Sequence, residues 1–154
     1  MRSELASTLE GRVEAPTAQT FQEVCKPVGI KAHQLSQEKG WIIKQIASRY
    51  RNPDHAPDTL GSKAALTQFE QHSDWIGVWQ QEIFNGQPGT RYYRRIDVQP
   101  TCLSCHGSKD SRPAFIQATY PQDLAYGFEI GDLRGMYAVF IPDRLHQVLK
   151  ATAE

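Results

Sequence analysis

The stretch Arg91-Tyr92-Tyr93-Arg94-Arg95-Ile96-Asp97-Val98 runs almost directly into Pro100-Thr101-Cys102-Leu103-Ser104-Cys105-His106. Its aromatic and β-branched residues, bounded by turn residues on both sides, read as a strand. The second stretch holds a C-x-x-C-H pattern, which suits a single helical turn because positions i, i+3 and i+4 face one way. A strand that feeds this pattern two-thirds of the way along the chain does not fit a nearly all-helical protein with the motif at its start. It points instead to helices first, then a mainly antiparallel sheet interrupted by the motif: an α+β fold.

The pattern carries specific chemistry. Cys102 and Cys105 can form thioethers to the two vinyl groups of one haem c, while His106 turns its imidazole to the iron. With 3 Cys and 5 His in 154 residues, a random match has odds of only about 0.2%, so chance is a poor account of it. Other readings fit less well. A zinc site needs a second ligand pair, and neither another C-x-x-C nor a nearby His pair exists. A thioredoxin-like dithiol needs a βαβ context and has no use for the following His. A disulfide between cysteines three apart closes almost no loop and stabilises little.

Working outward, residues 1–13 place Leu5, Leu9 and Val13 at four-residue spacing, a helical lead-in. A helix from Thr17 to Cys25 sets Phe21 and Cys25 on one face. Pro27 marks a break or a fresh helix start that leads to Gly40. Trp41-Ile42-Ile43-Lys44-Gln45-Ile46 favours a strand, and a long turn over residues 51–58 offers Asp58 as N-cap for a helix burying Ala65, Leu66 and Phe69 and ending near His72. Trp75-Ile76-Gly77-Val78-Trp79 reads as a strand, with turn chemistry at Asn85-Gly86 and Pro88-Gly89. Alternation over 125–130 and 136–141, on either side of Gly131-Asp132-Leu133-Arg134-Gly135, predicts a hairpin. From Asp143, Leu145, Val148 and Leu149 share the face of a short closing helix.

Composition narrows the function classes. Seventeen Lys+Arg balance 17 Asp+Glu, so no nucleic-acid footprint is expected. No apolar run approaches the roughly 18 residues that would span a membrane. The residues after Met1 lack the apolar core of a signal peptide. Because covalent haem is attached outside the cytoplasm, the expectation is an extracytoplasmic protein (periplasm or thylakoid lumen) whose natural precursor carries a secretion signal or membrane anchor. No triad, phosphate loop or paired-carboxylate constellation stands out, and an enzyme is not expected.

The ordered set Val24-Cys25, Arg51-Asn52-Pro53, Cys102-Leu103-Ser104-Cys105-His106-Gly107, Tyr120-Pro121 and Gly131-Asp132-Leu133-Arg134-Gly135 resembles the c-type haem-containing PAS-like domain of cyanobacteria and proteobacteria. The resemblance covers residues 21–142. That domain occurs free-standing and as the extracytoplasmic sensor part of signalling proteins. The resemblance implies one PAS-like haem c domain over residues 1–154, with residues 1–20 as a helical extension. It also implies an unusual axial pair on the iron, His106 from the motif and Cys25 from the N-terminal helix.

Read from the residues alone, the sixth position stays open among Cys25, Met136, His33, His55, His72 and His146, or no protein ligand. Met136 has the pattern of strand core. His55 and His72 have the setting of solvated surface histidines, and His146 faces away from its helix's apolar stripe. His33 lies two helical turns after Cys25. A thiolate would lower the potential and bind less well once the iron is reduced, whereas Met would raise the potential. Arg91, Arg94 and Arg95 are candidates to neutralise haem propionates. Trp41, Trp75, Trp79, Tyr92, Tyr93, Phe128 and Phe140 are candidates for pocket wall or core.

The reading that follows is a redox or diatomic-gas sensor module acting on an unidentified redox or signalling partner. Electron-transfer cytochrome c is the alternative, and whether the chain dimerises is open. A sensor should change coordination on reduction, and a carrier should not.

Overall fold

The computed structural model describes residues 16–24 and 26–143. The lead-in over residues 1–13, the closing helix with His146, and Cys25 itself lie outside the described residues. Two helices open the described chain, α1 (Ala18–Val24) and α2 (Lys26–Lys39), on either side of position 25. Then come β1 (Ile42–Ile46), α3 (Leu60–Gln71), β2 (Gly77–Phe84) and β3 (Gln87–Asp97). The motif follows as a 3-10 turn (Pro100–Cys102) leading into α4 (Leu103–His106), and α5 (Ala114–Thr119) and β4 (Leu133–Pro142) complete the fold.

The four strands form one antiparallel sheet in the order β1-β4-β3-β2. Side chains alternate between the two faces of a strand, and the register puts Ile46 opposite Met136, and Ala138 opposite Tyr93. These four form one buried cluster with Ala65, Leu66 and Phe69 of α3. The other face carries Ile43, Tyr137 and Val139, and α2 packs against β1. Farther across, Trp79 is exposed and packs its ring on Tyr92 at 4.4 Å. Among the described residues no helix is long and apolar enough to cross a membrane.

The β2–β3 hairpin closes at Asn85-Gly86, where both residues have positive φ (51° and 73°), the geometry of a two-residue primed turn. Pro88-Gly89 is not a second turn but lies inside β3. There Gly89 lets the Phe140 ring approach so closely that a Cβ would sit 2.5 Å from it. The N-cap of α3 is Thr59 rather than Asp58. Thr59 and Ser62 satisfy each other's backbone N–H groups as a capping box, and the Asp58 carboxylate is taken by Arg91 and Lys44.

The predicted hairpin around 131–135 is absent. Residues 125–130 form no strand, because their backbone is committed to the motif segment: Gly127 N–H donates to Gly107 O at 2.5 Å and Phe128 N–H to His106 O at 3.1 Å. Only β4 forms. It starts inside the expected turn and inserts between β1 and β3.

Candidate functional site

Strand β3 hands the chain to the motif through a pinned junction. Val98 N–H donates to Asp132 O and Gly131 N–H to Val98 O, both at 2.9 Å. Pro100 starts the 3-10 turn, where its missing N–H costs nothing. Cys102 N–H then bonds Gln99 O and Gly107 N–H bonds Leu103 O, again at 2.9 Å. Cys102 and Leu103 pack on the buried trio Val98, Ala125 and Phe128. This local fold brings Cys102, Cys105 and His106 together on the wall of a single cavity of about 610 Å³. Sites for cofactor-sized ligands typically measure roughly 300–1,000 Å³.

The imidazole of His106 is oriented from behind. Its Nδ1 lies 2.7 Å from the Ala125 carbonyl oxygen and 3.3 Å from Arg51 Nη2. A carbonyl can only accept and a guanidinium can only donate, so both cannot be hydrogen bonds to the same nitrogen. The shorter contact decides, since Arg51 Nη2 already donates to Cys105 O at 2.7 Å. Nδ1 therefore carries a proton, which leaves Nε2 as the nitrogen that can ligate a metal. The Phe128 ring meets the imidazole edge-on at 6.1 Å and carries the Arg49 guanidinium 3.9 Å above its face.

Behind this sits Asp123, whose side chain is fully buried. It accepts from Ala125 N–H at 2.8 Å, Arg51 Nε at 3.2 Å and Arg112 Nη1 at 3.0 Å. No local pattern in the sequence gives Asp123, Arg112 or Arg51 a role at the site. The only signal was the Arg51-Asn52-Pro53 stretch within the resemblance.

The remaining walls sort the other candidates. Phe21, Val28 and Ala32 line the cavity from α1 and α2, and Ile43 and Tyr137 from the sheet. His33 and His55 also line it, so His55 is not the solvated surface residue its turn suggested. Burial, reinforced by Arg134 and Lys44 against Asp54, holds the His55 pKa below the ordinary imidazole value. Met136 is 0% exposed in the core on the other side of the sheet, and His72 stacks on Trp75 at 4.5 Å; neither lines the cavity. The three arginines named for propionates lie elsewhere. Arg91 binds Asp58 and Glu82, Arg95 binds Asp97 and the Phe69 carbonyl, and Arg94 is exposed. The cavity is lined instead by Arg51 and Arg134, while the Lys44 ammonium is held by Asp58. The aromatic wall is Phe21, Tyr120 and Tyr137, while Tyr93 and Phe140 are core.

Fold and site together define a small α+β protein with a cofactor-sized cavity between N-terminal helices and a four-stranded antiparallel sheet, one wall of which is a C-x-x-C-H turn. The chain matches the family described as Tll0287-like: Tll0287 over residues 1–142 and belongs to it. It is similar to a solved structure, the crystal structure of the cyanobacterial heme-protein Tll0287. The TM-score is 0.81 at 53% identity, covering 92% of this chain and 86% of that one. No curated protein matches the chain.

Proposed function

We propose that this protein binds one covalent haem c in the cavity and acts as an extracytoplasmic, PAS-like redox-responsive module. One observation carries the reading. Cys102, Cys105 and His106 wall one cavity of about 610 Å³, and the Ala125 carbonyl holds His106 Nδ1 at 2.7 Å in the tautomer suited to iron ligation. Kinship with a haem protein supports the same cofactor. Cys102 and Cys105 would hold it by thioethers and His106 would be one axial ligand. Arg134, in place of the β3 arginines, would face its propionates. Bound haem supplies a one-electron couple at the centre of the domain.

We assign Cys25 as the second axial ligand, as the resemblance implies; Phe21 and Val28, which flank position 25 in sequence, both line the cavity. A thiolate from Cys25 favours ferric iron and a low potential. Were the iron reduced, such a thiolate would bind less well and could take up a proton, which would leave a position for a diatomic gas. Such a ligand exchange suits signalling to a partner protein better than fast electron relay, and we assign the domain no catalytic turnover.

The test is haem staining of the denatured chain after expression with haem c maturation, followed by ferric electron paramagnetic resonance (EPR). Retained stain with a compact low-spin thiolate signal supports the proposal. Loss of stain overturns covalent attachment. A bis-nitrogen signal overturns Cys25 in favour of His33 or His55 and restores the electron-carrier reading.

A further inference from the structure

The acceptor that fixes the His106 imidazole is a backbone carbonyl, and a single side chain holds the strand of chain that carries it. Asp123 binds Ala125 N–H through Oδ1 at 2.8 Å. Its other oxygen, Oδ2, receives Arg51 Nε at 3.2 Å and Arg112 Nη1 at 3.0 Å. Arg51 then crosses to the attachment turn, with Nη2 on Cys105 O at 2.7 Å. One buried carboxylate is therefore tied to His106 by two routes, through Ala125 and through Arg51 and the turn itself.

We propose that Asp123 is a positioning residue for the proximal ligand. It sets the tautomer and angle of His106, and with Arg51 it sets the charge beside that ligand. The inference rests on the haem reading above. Three donors converge on Asp123, and an ionised carboxylate is the side chain that offers only acceptors. An amide in its place would still accept from Ala125 N–H but would turn an N–H₂ or a weaker acceptor towards two guanidinium groups.

The electrostatic consequence has a sign. Two guanidinium groups and one carboxylate meet within hydrogen-bonding distance in a buried setting, where charge acts strongly. Removing the negative charge favours the less positive, ferrous iron, and removing the Arg51 cation favours ferric. Asp123→Asn should therefore raise the midpoint potential and Arg51→Gln should lower it. A merely structural strut predicts otherwise, since either change would loosen the same loop and move the potential the same way.

The experiment is potentiometric titration and ferric EPR of the haem-loaded full chain, wild type and both variants, with haem staining of each. Opposite shifts, together with an altered ferric signal in Asp123→Asn, support the proposal. Shifts of the same sign, or none, in stained protein overturn it and leave the haem reading standing. Wild-type chain without covalent haem overturns both. If Asp123→Asn does not fold, Arg51→Gln decides alone, and an unchanged or raised potential overturns the proposal.

Discussion

Arg91 is 1% exposed and is not among the residues that line the cavity, and replacing it separates a structural role from a cofactor role. Its Nη2 donates to Asp58 Oδ2 at 2.9 Å, its Nη1 lies 3.5 Å from Glu82 Oε1, and its guanidinium rides 4.5 Å over the Phe84 ring. Arg91→Met keeps the packed stem and leaves two carboxylates, 16% and 11% exposed, without their shared cation. Breaking a buried ion pair from one side costs about 3–5 kcal/mol. Lys44 remains 3.3 Å from Asp58 and the Tyr93 hydroxyl still donates to Glu82 at 2.8 Å, which sets the expectation at the lower end, about 3 kcal/mol. Against a typical total of about 5–15 kcal/mol, that is a large fraction of the stability.

The loss should depend on pH. Burial alone would raise the Asp58 pKa, but the hydrogen bond and charge of Arg91, helped by Lys44, outweigh it and hold the pKa below the ordinary value. A depressed carboxylate contributes stability above its unfolded pKa, about 3.9, and loses it as pH falls through the folded pKa. Without Arg91, burial takes over and the sign reverses, so the deficit of the variant is full at pH 7 and narrows on acidification. Urea unfolding across this range measures it. Adding Asp58→Asn and Glu82→Gln should recover much of the loss, because neither carboxylate is then left without the cation it shared. A deficit under about 1 kcal/mol, or one that does not narrow in acid, refutes the reasoning, because a broken buried pair costs more. Unchanged stability with a shifted haem potential would return Arg91 to the propionates.

Met136→Leu conserves volume in the core and should cost under about 1.5 kcal/mol while leaving the ferric EPR signal unchanged; an altered signal would put its sulfur at the iron. Phe69→Ala, at a fully buried site between α3 and the sheet, should cost about 3–5 kcal/mol in thermal unfolding, and a cost under 1.5 kcal/mol on the same scale would mean the core collapses around the gap. The lowered pKa of His55 means that, below about pH 6.5, the unfolded chain takes up the proton first. Stability should fall from that pH downward, and His55→Gln should flatten this part of the urea-midpoint profile; an unchanged slope would show that His55 does not contribute.

Local periodicity was a good guide wherever an element buries its own regular face. Ala65, Leu66 and Phe69 recur at helical spacing and do face the core, and the asparagine–glycine pair does close the hairpin. It misled where polar groups at a distance decided the outcome. Residues 125–130 alternate like a strand, but Gly127 and Phe128 give their N–H groups to the motif segment, and Asp58 looks like a cap but answers Arg91, 33 positions away. In the site, Cys102, Cys105 and His106 were legible because one helical turn places all three. Asp123 and Arg51 were not, since they are separated by 72 positions and acquire their role only when the chain folds back.

That folding back has a topological cause. Strands β3 and β4 are hydrogen-bonded neighbours, and antiparallel neighbours can be joined by a turn of two residues. Here the connection runs instead from residue 98 to 132, and its base is closed by the paired bonds between Val98 and Gly131–Asp132. The excursion carries the C-x-x-C-H turn, Arg112, Asp123 and Ala125. Because β4 also pairs with β1, the excursion emerges beside the end of β1, where the chain turns through Arg51. Sheet order thus delivers the guanidinium to the motif, and Asp123 locks the contact. The helices before β1 close the opposite wall of the cavity. Loop exchange between the two neighbouring strands could remove the site without disturbing the core of Ile46, Phe69 and Met136, which lies on the other face of the sheet.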